Sequence, residues 1–413
     1  MNAKQDRVIL HCDCNAFFAS VAEISHPELR KVPMAICGDP ESRRGIILAK
    51  NQLAKGFDVQ TTDTVWQARQ KCPELVLMAA QHHLYSHYSR IINSIYEQYT
   101  DQVERFGIDE SFLDVTGSLH LFGGDGVALA HQIRRRVEKE VGLTISVGVS
   151  YNKIFAKLGS DYKKPNAVTH ISRENYHEIV WPLPASAMLM VGKATQESLD
   201  KLYIHTIGEL AVADEEMLSR RLGKIGSQLH LYANGLEDSP VLHAGEEPEL
   251  QSVGNGMTFR RDLVTQEDIK TGLTALADSV AVRLRKAGLQ CMTLQVTIKD
   301  TNLKVITRQR GLRNPTFLAA ELAREGLEIV LASWKIGVPI RMLTLTASKL
   351  VPIGEAPTQL SLFEANAPAD TARREQLEKA MDRIRDRFGA ESISPGSILK
   401  NDLGIQDHHE KED

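Results

Sequence analysis

The sequence predicts a multidomain protein of the α/β (α+β) class. Its 413 residues, 42% hydrophobic and 25% charged, are enough to bury roughly two to four separate cores. Up to about residue 171, short apolar runs alternate with segments whose apolar residues recur at helical spacing. A later region, 250–351, has the order β-α-β-β-α-β. We therefore expect an α/β domain first and a smaller domain with a four-stranded sheet after it.

The elements of the first region follow from its short apolar runs. A short apolar run bounded by polar residues leaves no room for a helical turn, so each such run is assigned to a strand. The predicted strands are 8–13, 34–37, 46–49, 75–78, 108–115, 144–149 and 167–171, and the predicted helices are 16–24, 64–71, 85–99, 127–141 and 153–162.

Helical patterns fill residues 172–235, where two short helices are joined by a turn containing Gly192. Such a turn can aim backbone N–H groups at a phosphate, although an ordinary helical hairpin has the same pattern. Pro240, Pro248 and an acidic cluster then predict a linker over 237–249. In the later region the predicted strands are 256–262, 293–299, 304–310 and 340–348, and the helices are 266–286 and 315–332.

Composition favours an intracellular enzyme. The charged start of the chain is followed by too short an apolar run for a signal peptide, and no apolar stretch approaches membrane-spanning length. The five cysteines are scattered, which argues against a disulfide framework or a structural zinc site and indicates a reducing compartment. We therefore expect a cytoplasmic protein without a membrane partner.

The net charge of −4 is unusual for a protein that binds nucleic acid, but the charge is unevenly distributed. Between residues 240 and 351, fifteen Lys and Arg stand against eleven Asp and Glu. Within this region the period of two of a strand puts Lys304, Arg308 and Arg310 on one face. This face is a candidate for phosphate contacts, and the alternative is a merely solvated strand.

Three carboxylates form the candidate catalytic site. Asp13 ends a predicted strand, and Asp109 and Glu110 lie at the start of another. Taken singly, such residues are more often caps or solvated turn residues. Brought together on neighbouring strand ends, however, they would repel one another unless cations neutralised them, and oxygen ligands suit Mg²⁺. This is the ligand set that phosphoryl transfer needs.

Three sequence blocks carry a specific resemblance. They are DCNAFFAS at 13–20, IDESFLD at 108–114 and AKLGSDYKKPN at 156–166. In this order they closely resemble the Y-family DNA polymerases, the lesion-bypass group, and the resemblance extends from about residue 8 to 351. It implies a right-hand polymerase that closes around primer-template DNA. The implied domains are a palm (1–19 and 83–171), fingers (20–82), a helix-hairpin-helix thumb (172–236), a linker (237–249), a little finger (250–351) and a tail (352–413).

The resemblance also implies the roles of residues in the active site. Asp13, Asp109 and Glu110, with the backbone carbonyl of Cys14, would bind two Mg²⁺ ions. The residues implied to contact the deoxynucleoside triphosphate are Phe17, Phe18, Gln52, Lys55 and Lys164, and among them Phe18 matches the steric gate that excludes a ribose 2′-hydroxyl.

Gln52 and Lys55 depart from the family pattern. Many relatives carry Asn-Tyr-x-Ala-Arg where this chain has Asn-Gln-Leu-Ala-Lys at 51–55. Gln52 thus offers an amide in place of a tyrosine hydroxyl, and Lys55 offers a single charge in place of a bidentate guanidinium. Both side chains can still donate hydrogen bonds, but the affinity for the nucleotide is expected to differ from that of such relatives.

Partners follow from the same resemblance. Gly192 and Lys193 match the DNA-binding hairpin of the thumb, although Met190 replaces the first glycine of its usual Gly-x-Gly turn. After Pro352 the chain carries QLSLF at 359–363 and a charged helix pattern at 371–388. Gln359, Leu360, Leu362 and Phe363 resemble the peptide by which bacterial polymerases bind the sliding clamp. We expect a nucleoid-associated monomer that serves DNA damage tolerance.

Two other functions remain open. A catalytically weak or accessory DNA-binding subunit of a lesion-bypass complex would fit Gln52 and Lys55. A palm-type nucleotidyl cyclase would share the carboxylates, and Gly123-Gly124-Asp125-Gly126 resembles the signature of cyclic-dinucleotide synthases. That segment precedes a predicted helix, however, and is interpreted as a turn and helix cap.

Overall fold

The computed structural model describes residues 6–38, 45–246, 248–355, 367–399 and 401–405, with the backbone alone for 367–371. The chain divides into two compact units, Met1–Glu247 and Pro248–Asp413. Both units combine sheets and helices, so the predicted α/β (α+β) class is confirmed. Among the described residues, no helix is both long and apolar enough to cross a membrane.

Two sheets organise the first unit. The larger has the order β5-β6-β1-β7-β8 and the smaller β3-β2-β4. In the centre of the larger sheet, β1 is buried along its whole length and pairs antiparallel with both β6 and β7. The strands are β1 Ile9–Cys14, β2 Met34–Cys37, β3 Ile47–Lys50, β4 Val76–Ala79, β5 Val103–Arg105, β6 Glu110–Asp114, β7 Ile145–Ser150 and β8 Val168–His170.

Helices of the first unit pack on the larger sheet and also form most of the chain between β8 and the end of the unit. Gly148 permits the close approach of one of these helices to β7, because a Cβ there would lie 1.8 Å from the carbonyl oxygen of Ala156. The helices are α1 Phe17–Ser25, α2 Gln52–Gly56, α3 Val65–Lys71, α4 His82–Tyr96, α5 Gly126–Val141, α6 Lys153–Tyr162, α7 Tyr176–Ile179, α8 Lys193–Asp200, α9 Ile207–Val212, α10 Glu215–Leu222 and α11 Lys224–Ala233.

Asn51 fixes the start of α2 beside the smaller sheet. Its buried side chain accepts a hydrogen bond from the backbone N–H of Ala54 and donates to the carbonyl oxygens of Leu29 and Val32. The asparagine of the 51–55 segment is therefore an N-cap that ties α2 to the chain around residue 30. Its neighbours Gln52 and Lys55 are left exposed.

Met190 lies in the turn before α8, where the resemblance described above predicts a glycine. Met190 has a φ of 73°, in the left-handed region that glycine adopts without cost. For a residue with a Cβ this conformation costs about 1 kcal/mol or more. The hairpin is therefore built on a strained residue, whose side chain is 57% exposed.

The second unit is an antiparallel four-stranded sheet of order β11-β10-β12-β9 with two helices packed against one face. Its core is formed by alternate residues of the strands, such as Leu294, Val296 and Ile298, and by apolar residues of both helices. The elements are β9 Ser252–Leu263, α12 Gln266–Lys286, β10 Leu289–Asp300, β11 Val305–Thr316, α13 Ala319–Ser333, β12 Ile340–Pro352 and α14 Ala367–Phe388.

The chain after residue 352 contributes to this core, which the sequence analysis did not foresee. Ile398, Leu403 and Ile405 are buried in it. The guanidinium of Arg285, on α12, lies between the carboxylates of Glu378 and Asp382 on α14, and all three side chains are nearly buried. Part of the predicted tail is therefore a component of the second unit.

Candidate active site

Pairing of β1 with β6 brings the three predicted carboxylates to one end of the larger sheet. Asp13 lies directly opposite Glu110 in the antiparallel register. The backbone N–H of Cys14 donates to the carbonyl oxygen of Asp109 at 3.0 Å, which holds Asp109 beside the end of β1. Residues almost a hundred positions apart in sequence thus meet because their strands are neighbours.

Two lysines neutralise part of this negative charge. The Lys157 ammonium lies 2.5 Å from Glu110 Oε2 and 3.2 Å from Asp13 Oδ2. Lys164 lies 2.8 Å from Asp13 Oδ2 and 2.7 Å from Asp161 Oδ1. Sequence reasoning selected Lys164 but missed Lys157, which lies in the same block, one turn of α6 before Asp161.

Titration of the carboxylates depends on these neighbours. Burial, together with the charges of Asp13 and Glu110, raises the pKa of Asp109 to about 6. Burial would also raise the pKa of Glu110, but the adjacent His11 imidazole and Lys157 ammonium lower it to about 2. The carboxylates at this edge therefore carry more negative charge than the two lysines neutralise. Crowded carboxylate oxygens of this kind are ligands that a hard divalent cation prefers.

His11 is a further site residue that the sequence did not indicate. It is fully buried, accepts or donates a hydrogen bond through Nδ1 to Ser160 Oγ at 2.8 Å, and places Nε2 3.3 Å from Glu110 Oε2. Ligand atoms of His11, Asp13 and Glu110 all lie within 4.8 Å of one another. Burial lowers the pKa of His11, so the ring is neutral near pH 7 and adds no charge beside Glu110.

A cleft of about 500 Å³ opens over the carboxylates. Phe18 lines it, and its ring stacks on Tyr85 of α4 with a centroid separation of 3.9 Å and an angle of 7°. This stacking fixes the ring as a flat wall. The Phe17 ring, by contrast, is 2% exposed and belongs to the core, so contact of Phe17 with a nucleotide would have to come through its backbone.

Another part of the cleft lining comes from the region of the smaller sheet. Gln52 and Lys55, both predicted for nucleotide binding, line it from α2. Lys50, at the end of β3, and Thr61 line it as well, and neither was predicted. Besides the carboxylates, the cleft lining thus includes two lysines from this region, of which Lys55 was predicted and Lys50 was not.

Residues predicted for DNA contacts lie in both units. In the first unit, Gly192 is the N-cap of α8 and Lys193 its first residue, and both are exposed. In the second unit, Lys304 immediately precedes β11 and is also exposed.

Arg308 and Arg310 share one face of β11, as predicted, but it is the face on which the helices pack. They lie opposite Val296 and Leu294, whose side chains belong to the core. Arg308 is exposed and donates only to the carbonyl oxygen of Thr307 among the described residues. Arg310 instead contacts two carboxylates of α13, those of Glu325 and Glu328 at 3.3 and 2.6 Å. Its charge is therefore partly neutralised within the protein.

The predicted clamp-binding residues lie outside the described residues. Gln359, Leu360, Leu362 and Phe363 fall in the interval between Glu355 and Ala367. Both flanks of this interval, β12 and α14, belong to the second unit.

Comparisons with known proteins agree over nearly the whole chain. The model of the impB/mucB/samB family matches residues 12–161, and that of the impB/mucB/samB family C-terminal domain matches 250–362. DNA polymerase IV of Acetivibrio thermocellus is 46% identical over 97% of this chain and 99% of its own length. DNA polymerase IV 1 of Bacillus subtilis is 36% identical over 96% of this chain and 94% of its own. A solved Y-family DNA polymerase chimera superposes with a TM-score of 0.73 at 21% identity, covering 84% of this chain and 99% of that one.

Proposed function

Since the chain belongs to the impB/mucB/samB family, we propose that it is a DNA-directed DNA polymerase of the translesion type. It adds deoxynucleotides from their triphosphates to the 3′ end of a primer, as a template directs. The observation that carries this function is the meeting of Asp13, Asp109 and Glu110 at a cleft whose lining also carries lysines.

Asp13, Asp109 and Glu110, with the carbonyl oxygen of Cys14, would hold two Mg²⁺ ions. Crowded carboxylate oxygens, one with a pKa raised to about 6, fit such ions. When bound, a pair of divalent ions activates the attacking hydroxyl and stabilises the leaving oxygen of an in-line phosphoryl transfer.

Side chains of this chain then position the substrates. Lys164 and Lys55 both line the cleft, where a triphosphate would find positive charge from both. The Phe18 ring, fixed by its stacking on Tyr85, would face the sugar and clash with a 2′-hydroxyl. Asn15 contributes indirectly, because its side chain accepts a hydrogen bond from the backbone N–H of Asn166 and so holds the loop that follows Lys164.

DNA would be held through phosphates by the N-terminal end of α8 and by exposed basic residues of β11. Among these, Arg308 is the better candidate, because Arg310 already contacts two carboxylates. We further propose low-fidelity bypass of damaged templates, a monomeric enzyme at the nucleoid, and attachment to the sliding clamp through the segment 359–363. Family membership and the sequence of that segment support these proposals.

The segment Gly123-Gly124-Asp125-Gly126 gives the nucleotidyl cyclase alternative no support. Gly123 and Gly124 form a left-handed turn, and Asp125 accepts hydrogen bonds from the backbone N–H groups of Val127 and Ala128 at the start of α5. The Asp125 carboxylate is thereby occupied as a helix cap.

Primer extension distinguishes the three functions. The polymerase is expected to extend the primer on damaged as well as undamaged templates, to prefer the complementary nucleotide opposite an undamaged template base, and to stop when EDTA is added. A cyclase would consume one nucleotide without DNA. An accessory subunit would bind primer-template DNA but extend no primer, and that result would overturn the proposal.

A further inference from the structure

Lys50 is a cleft residue to which the mechanism above assigns no role. It ends β3 and lines the cleft together with Lys55 and Thr61. Its ammonium donates a hydrogen bond to Thr61 Oγ1 at 3.4 Å. No carboxylate pairs with Lys50 among the residues that the structure describes, and the nearby Asp63 is instead paired with Lys71 at 2.8 Å.

The lysines that line the cleft therefore fall into two kinds. Lys157 and Lys164, on the carboxylate side, each contact acidic side chains at 2.5–2.8 Å. Lys50 and Lys55, from β3 and α2, have no such partner within the described part of the chain. Burial and the charge of Lys55 lower the pKa of Lys50, which indicates that the two ammonium groups repel each other.

Two like charges that line one cleft, neither in direct contact with a described carboxylate, are relieved by an anionic ligand. The incoming nucleotide is the polyanion that the proposed reaction brings into this cleft. An arginine can bind two phosphate oxygens at once, whereas a lysine offers a single charge, so Lys55 alone supplies less than the arginine that many relatives carry at that position. A second lysine in the cleft lining would supply the phosphate contact that Lys55 alone does not provide.

We propose that Lys50 binds the triphosphate of the incoming nucleotide together with Lys55. This inference rests on the proposed function and adds a binding residue to the same site. It also explains how the chain can tolerate Gln52 and Lys55 in place of tyrosine and arginine. Thr61 acts as a positioning residue, because its hydroxyl holds the Lys50 ammonium toward the cleft.

The test measures nucleotide binding without chemistry. The full-length protein is bound to a primer-template whose primer ends in a dideoxynucleotide, and the complementary dNTP, dNDP and dNMP are titrated in Mg²⁺. Lys50→Met is expected to raise the Kd of the dNTP about tenfold, the loss of one charge-assisted hydrogen bond, and to leave that of the dNMP nearly unchanged. Lys50→Arg is expected to restore dNTP binding.

Lys31→Met is the matched control, since Lys31 is an exposed lysine of the same unit that does not line the cleft. It is expected to bind all three nucleotides like the parent. An unchanged dNTP Kd in Lys50→Met would overturn the inference, as would equal weakening of dNTP and dNMP, which would place Lys50 at the base, the sugar or the α-phosphate and not at the phosphates that only the dNTP carries. Weakened DNA binding would place it on the template and would also overturn the inference.

Failure of the proposed function itself gives a different result. In that case the parent protein does not prefer the complementary nucleotide and extends no primer, whatever residue stands at position 50.

Discussion

Acidification through pH 6 is expected to weaken cation binding at the carboxylate site, because Asp109 must lose its proton to act as a ligand. Its pKa is raised from the usual 3.8 to about 6. Protonation then multiplies the apparent Kd by about 1.1 at pH 7, about 2 at pH 6 and about 11 at pH 5. An aspartate with an ordinary pKa would change the affinity at pH 5 by only about 10%.

Calorimetric titration of the DNA-bound protein with Mg²⁺ at pH 5, 6 and 7 measures this dependence. Repeating each titration in two buffers of different ionisation enthalpy counts the protons released, about one per bound cation at pH 5 and about 0.1 at pH 7. Asp109→Asn should bind Mg²⁺ more weakly and lose the pH dependence. Equal affinity of the parent at pH 5 and pH 7, with the protein folded at both, would refute the reasoning.

Four further predictions concern sugar choice, DNA binding, the second unit and the clamp. Phe18→Ala should raise the ratio of ribonucleotide to deoxyribonucleotide incorporation at least about tenfold, and an unchanged ratio would exclude Phe18 as the gate. Arg308→Ala should lower the salt slope of DNA binding by about one without changing sequence preference; a loss confined to one DNA sequence would contradict a phosphate contact. Arg285→Met leaves two nearly buried carboxylates of α14 unpaired and should cost about 3–5 kcal/mol in the free energy of unfolding, whereas a loss below about 1 kcal/mol would mean that the pair is effectively solvated. Replacing Leu362 and Phe363 with alanine should remove stimulation by the clamp while leaving distributive synthesis on short templates intact, and equal stimulation of variant and parent would show that the resemblance is accidental.

Local patterns in the sequence were sufficient for most elements. The helix predicted over 266–286 has those bounds, because its apolar residues recur at helical spacing and Thr265 caps its first turn. That Asp13 and Glu110 lie close together was expected because both were predicted at the ends of neighbouring strands. In the structure they lie opposite each other in the register of β1 and β6. The positions of residues that lie both in a clear local pattern and in a recognised motif could therefore be predicted from the sequence.

Predictions were incomplete where long-range packing decides the outcome. Period-two spacing shows that Arg308 and Arg310 share a face but cannot show which face of the sheet the helices cover. In the structure Arg310 is paired with Glu325 and Glu328 of α13. Lys50 lies outside the motif that identified Gln52 and Lys55, and only the fold reveals that it faces the cleft. Ile398 and its apolar neighbours follow a charged helix, so nothing local indicated that they return to a core.

Single-nucleotide incorporation by Asp109→Ala tests the central claim most directly, with DNA affinity measured on the same preparation. Loss of one carboxylate from the cluster is expected to reduce incorporation about 10³-fold or more, since positioned cations contribute several kcal/mol to such a transfer, while the Kd for primer-template DNA stays within about twofold of the parent. Asp101→Ala, which removes an exposed carboxylate of the same unit, should match the parent in both measurements. Incorporation by Asp109→Ala at close to the parental rate would contradict the assignment of the active site.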